Sequence, residues 1–294
     1  LGRCRTWFHV GIFAGRQTED DAVTLVVLQN GPLCQQGPHS CAACCGLYNF
    51  ADRSKAAMDA RLDRRTALVT QGGWDPPALA RARDTLQDEE APLLLFKAVR
   101  TCAFAGWLDA NHTRVGCLIH PARHPDGADL RDLGAYQDRA ICDGHLCAPH
   151  TWLTAVDRAF LAHAPDWQAY SMAVGESGFA KAVLRWVANA RGGAVNAANL
   201  QRPEAAAPAT ALLQLLTAWP FVDPDPRRFG GFSFAGDDAY TRLVPSVGRF
   251  SAVTPVEATI LDALGTRVED EETAQRAVTL LRQHLQALAD ALPI

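Results

Sequence analysis

The sequence predicts an α+β protein: a cysteine-rich, metal-binding region of loops and short strands, followed by a mainly helical region. Three observations lead there. All nine cysteines fall before residue 148, most of them in tight groups. Short runs rich in β-branched and aromatic residues mark strands near the start of the chain. From Thr151 onward the chain turns to alanine, leucine and charge at helical spacing. The expected division is residues 1–150 as the cysteine-cluster region and 151–294 as the helical region, packed together as one compact unit.

Composition narrows the function classes. At 294 residues, 48% apolar and 20% charged, the chain can bury a large core. A formal net charge of -4 gives no basic face for nucleic acid. No apolar run approaches the roughly 20 residues of a membrane helix. The odd cysteine count and the lack of a basic-then-apolar leader argue for a reducing, cytoplasmic setting over a disulfide scaffold. Arginine far outnumbers lysine, which reads as genomic composition.

Taken in order, residues 6–13 and 22–28 are expected strands, with Cys4 incidental. Ser54 is the expected cap of a helix to Val69, and Asp75 the cap of a second helix, with proline at its first position, through Leu86. The turn signal Asp109-Ala-Asn-His112 predicts a hairpin that brings Cys102 and Cys117 together. Pro121 leaves Cys117–His120 extended or turning. Trp152, Val156, Phe160 and His163 space as one helix ending at Ala164-Pro165, and Phe179–Ala190 as another, closed by Gly192. Residues 201–209 read as a Pro/Ala linker leading into Thr210–Trp219, and Pro220–Gly236 as a long surface loop. Thr254-Pro-Val-Glu257 is a capping box opening a helix to about Leu264. The last helix carries Val278, Leu281, Leu285, Leu288 and Leu292 as an apolar seam, suited to packing on the domain or to a protein partner at the C-terminal helices.

The chemistry concentrates between Cys34 and Phe50, where Cys34, Cys41, Cys44 and Cys45 fall within twelve residues. Thiolates three residues apart in a loop can point at one ion, which is why metal sites reuse Cys-x-x-Cys. Adjacent cysteines are poor disulfide partners, but they can serve one metal centre or two neighbouring ones. Cys102 and Cys117 form a second constellation, and Cys142-Asp-Gly-His145-Leu-Cys147 a third. The candidate ligands are therefore Cys34, Cys41, Cys44, Cys45, Cys102, Cys117, Cys142 and Cys147. Four thiolates suit zinc, and cysteine-ligated clusters suit iron–sulfur chemistry.

Two other chemistries compete with this one. His120, His124 and Asp126 could form a facial iron triad. Alternatively, Cys117 or Cys147 could act as a nucleophile activated by His120, Arg123, His145 or His150. The phosphate loop and His-Glu-x-x-His are missing, and Gly175-Glu-Ser-Gly178 is one residue short of a nucleophile elbow.

Cys41-x-x-Cys44-Cys45, then Cys102-x-Phe104, then Cys117-x-Ile119-x-x-x-Arg123 together resemble the bacterial family of zinc- or iron-chelating cysteine-cluster domains. The resemblance spans residues 34 to 150. It implies a metal site without a defined reaction. The family's first cysteine falls at Pro38, so Cys34 or His39 would replace it. The family's later Cys-Arg is missing, which leaves Cys142 and Cys147 as substitutes.

Overall fold

Ser54 and Asp75 are short polar residues placed just before helical runs, and each accepts the backbone N–H three residues on. In the computed structural model, which describes residues 32–97, 99–132, 139–142, 147–229, 232–234, 240–242 and 246–293, they cap α1 (Lys55–Gly72) and α2 (Pro76–Glu90). Both helices outrun the expected ends. Gly73, at φ +99°, stops the first. The second is held to its last turn by Glu90, which takes two bonds of 2.7 and 2.6 Å from the buried Arg65 guanidinium. The expected strands 6–13 and 22–28, Cys4 and His145 lie outside the described residues.

Two small antiparallel hairpins stand beside these helices. The first pairs β1 (Gln35–Gln36) with β2 (His39–Ser40), in register Gln35↔Ser40. The second pairs β3 (Ala105–Trp107) with β4 (Val115–Cys117), in register Ala105↔Cys117. Its turn is the expected one: the Asp109 carboxylate accepts the Asn111 and Thr113 N–H groups, each at 3.0 Å. The β3 edge lies against α1, where Thr66 Oγ1 accepts the Trp107 N–H at 2.8 Å.

The remainder is mainly helical, as expected, with three differences. The single helix expected from Trp152 is two, α4 (Ala148–Trp152) and α5 (Ala155–Leu161), which follow the short α3 (Arg139–Cys142). Thr154 and Asp157 form a reciprocal capping box, and Leu153 is extended between the helices. The Pro/Ala stretch is not a linker. After α6 (Trp167–Gly175), α7 (Ser177–Arg191) and α8 (Ala197–Leu200), it opens α9 (Pro203–Ala218), with Pro203 at the first position and Ala205 and Ala209 buried. Alanine's helix propensity decided this segment, and Pro208, in the second turn, forgoes a single bond to Glu204. Finally, the expected loop after Pro220 carries structure. Val222 bridges Thr266, and β5 (Arg228–Phe229), β6 (Phe232–Phe234) and β7 (Tyr240–Arg242) form an antiparallel sheet.

Thr254 caps α10 (Pro255–Ala263) through the expected box. In α11 (Glu271–Ala291) and just past it, the whole seam from Val278 to Leu292 is buried. That apolar face is used within the chain, against α7 and α9. The main core joins the two sequence regions, since Leu33 and Cys41 belong to the same apolar cluster as Phe160, Phe179 and Leu285. Among the described residues no helix is long and apolar enough to cross a membrane.

Candidate metal centre

The first cysteine hairpin is docked on α6, a helix the sequence reading missed. Cys41 N–H donates to the Cys34 carbonyl at 3.0 Å, so the two cysteines face each other at the open end of β1–β2. Cys41 Sγ lies 3.4 Å from Ser171 Oγ, which also accepts the Ala42 N–H at 3.3 Å. Tyr170 donates its hydroxyl to the Leu33 carbonyl at 3.0 Å and stacks on His39 with 5.2 Å between ring centroids. The signal for α6 was Asp166 after a proline, which caps the helix through the Ala169 N–H.

The same hairpin is fastened to β4. Gln35 Nε2 donates to the Val115 carbonyl at 2.7 Å, and Ser40 Oγ accepts the Val115 N–H at 2.8 Å. A single 3-10 turn, Ala43–Cys45, then presents Cys44 and Cys45 and closes at Gly46 with φ +78°. A Cβ at Gly46 would lie 2.3 Å from the Arg100 carbonyl oxygen and 2.8 Å from Thr101 Cα. Only glycine allows this approach. It sets the Cys45 carbonyl to accept the Cys102 N–H at 2.9 Å, while Cys117 closes β4 opposite Ala105.

Electrostatics then links the thiols, with Cys44 acting on neighbours on both sides of it. Burial pushes the Cys34 thiol up to about 11, reinforced by the Cys44 and Cys147 sulfurs. Burial pushes Cys41 up to about 12, opposed by Ser171 and reinforced by Cys44 and Cys34. Cys147 is raised by burial and then by Cys44, with Arg158 opposing. Cys45 is held up first by its contact with the Cys44 sulfur, then by burial, Cys102 and Cys117. Burial pushes Cys117 up to about 12, with Cys102 and Cys142 adding to it and Arg131 opposing.

None of the eight predicted cysteines, all within the described residues, is in a disulfide. Among the described residues no group of three His, Cys, Asp or Glu side chains stands in an arrangement that could hold a metal ion. The donor set nonetheless suits a soft cation. Crowded sulfurs raise one another, and a bound metal reverses that by stabilising thiolate. The same upward shifts are the opposite of what a cysteine nucleophile needs.

The histidines are engaged elsewhere. His120 Nδ1 accepts the Ala122 N–H at 3.1 Å, and His124 Nε2 lies 3.2 Å from the Leu118 carbonyl. Asp126 accepts the Ala128 N–H at 3.0 Å. The three members of the proposed iron triad thus serve local turns. His39, the alternative to Cys34, places Nε2 2.9 Å from the Ala162 carbonyl and is lowered by burial. Sequence reasoning also missed Tyr170, Ser171 and Arg158, which approach the cysteines from elements far along the chain. No family model, no curated protein and no solved structure matches the chain.

Proposed function

We propose that this chain is a metal-binding protein whose clustered cysteines, Cys34, Cys41, Cys44, Cys45, Cys102, Cys117, Cys142 and Cys147, hold zinc or an iron–sulfur cluster. Its role is in redox, sulfur or metal handling in the cytoplasm. One observation supports the reading: backbone bonds join Cys34 to Cys41 at 3.0 Å and Cys45 to Cys102 at 2.9 Å, which brings cysteines from separate stretches together. Apolar core cysteines have no reason to gather in this way. Bound zinc would supply a structural cross-link, and bound iron–sulfur would supply electron transfer.

The test is anaerobic purification followed by a visible spectrum and elemental analysis. Brown protein containing iron selects the cluster, and colourless protein containing zinc selects the structural ion. The double variant C44A/C45A should lose metal and melt at lower temperature. Wild-type protein that carries no metal after reconstitution with either would refute the reading.

A further inference from the structure

We infer that the cleft between the end of α2 and the loop that follows it is a binding site for a small organic phosphate, held by Lys97, Arg100 and Thr101. Among the described residues no cysteine lines this cleft, so the inference is independent of the metal-binding reading.

The distribution of charge points to an anion. The chain has three lysines, Lys55, Lys97 and Lys181. Lys55 is paired with Asp59, and Lys181 with Asp157. Lys97 lines the cleft and has no carboxylate partner among the described residues. Glu90 is the one carboxylate in the described lining, and it is already committed. The buried Arg65 guanidinium takes both of its oxygens, at 2.7 and 2.6 Å. The remaining charged groups of the lining are Lys97 and Arg100, both cationic.

The donors are held in place by the fold. Asn49 is buried, and its side-chain amide donates to the Phe96 and Val99 carbonyls at 2.8 and 3.0 Å. Its side-chain oxygen accepts the Phe96 N–H at 3.1 Å, and its backbone carbonyl accepts the Leu95 N–H at 3.1 Å. Phe50 bridges Leu94 at the start of the loop. From the other side, the close approach of Gly46 fixes the backbone of Arg100 and Thr101. A loop so braced loses little further freedom when a ligand arrives. Asn49 also donates to Thr101 Oγ1 at 3.4 Å, which occupies a lone pair of that hydroxyl and leaves its proton for an acceptor in the cleft.

The donor set favours phosphate among anions. An ammonium, a guanidinium and a hydroxyl stand on three separate side chains. A carboxylate offers two oxygens in one plane, whereas a phosphate monoester offers three and carries a charge of about -2. The cleft encloses about 460 Å³, with Leu94 and Val99 in its wall, so an apolar body can sit beside the phosphate.

The experiment titrates the full chain with phenyl phosphate by calorimetry, with inorganic phosphate and benzoate as comparison probes. Phenyl phosphate should bind most tightly and benzoate most weakly. Lys97 is exposed, and K97A should weaken phenyl phosphate roughly tenfold. T101V should weaken it by a smaller factor. R64A is the control, because it removes a positive charge from α1 outside the cleft, where Arg64 pairs with Glu89. Its affinity should stay within about twofold of the wild type. Where circular dichroism shows that K97A has lost its fold, K97Q replaces it. A wild type with no saturable binding of phenyl phosphate would overturn the inference. So would a folded Lys97 variant that binds as tightly as the wild type, or an R64A that loses as much as K97A. Benzoate binding as tightly as phenyl phosphate would overturn the choice of phosphate. Metal content enters none of these outcomes, so they leave the metal-binding reading to its own test.

Discussion

At Gly46 one missing methyl group decides whether two parts of the chain can meet. The residue combines a left-handed φ with a backbone approach that a Cβ would invade, and the obstructing atoms are backbone. G46A should therefore cost about 2–4 kcal/mol in urea denaturation, well above an exposed glycine substitution, and should reduce bound metal. Gly192 is also left-handed but meets nothing within 4 Å, so G192A serves as the control with a smaller loss. A second residue contributes to sensitivity to acid. His163 donates Nε2–H to the Leu200 carbonyl at 2.8 Å, and burial lowers it from its ordinary 6.5. The unfolded chain takes up that proton first. The stabilisation is therefore complete above about pH 6.5 and is lost as pH falls from there towards the lowered folded value. His39 is lowered in the same sense. Comparing denaturation midpoints at pH 7.5 and 5.5 should show a smaller drop in H163Q than in wild type. A drop equal to that of the wild type would remove His163 from this account. At this scale the sequence was informative where function depends on residue type, as at the cysteines and the caps Ser54, Asp75 and Thr254. The partners of Gly46 and His163 are distant in sequence and could not be read from it.

Among the elements, local signals succeeded when one principle acted alone and failed when two competed. The Thr254 box and the seam of α11 are short-range patterns, and both appear where expected. Residues 201–209 posed a conflict, because the prolines suggest a linker and the alanines suggest a helix. The helix prevails because its alanine face is buried in the core. Pro208 is then a residual cost within α9. P208A restores a backbone N–H opposite Glu204 and should stabilise the protein by about 1–3 kcal/mol, read as a higher melting temperature. A lower one would mean that the ring packs in a way alanine cannot replace. Thr154 shows the reverse conflict, since the apolar spacing from Trp152 to His163 is helical but the capping box interrupts it. Trp152, the first member of that spacing, is half exposed and contributes little to the core.

Over the whole molecule, the fold adds contacts between the cysteine stretches that the sequence does not show. Sequence proximity puts Cys44 with Cys45, whose sulfurs touch, whereas backbone bonds join Cys34 to Cys41 and Cys45 to Cys102. That information lies in tertiary neighbours, above all in α6. Its buried Tyr170 and Ser171 grip the first hairpin through protein–protein bonds that involve no metal. The loop of the proposed ligands is therefore held by the scaffold on one side, and under the metal-binding proposal this determines how uptake should register thermodynamically. In small domains that fold only around their ion, binding and folding are one event and a large apolar surface leaves water with it. Here the core is already formed from side chains such as Phe160, Phe179 and Leu285. Calorimetric titration of the stripped protein should accordingly give a strong, proton-releasing reaction with a near-zero heat-capacity change. Replacing Tyr170 with phenylalanine should turn that change negative, as an undocked hairpin is drawn down during uptake.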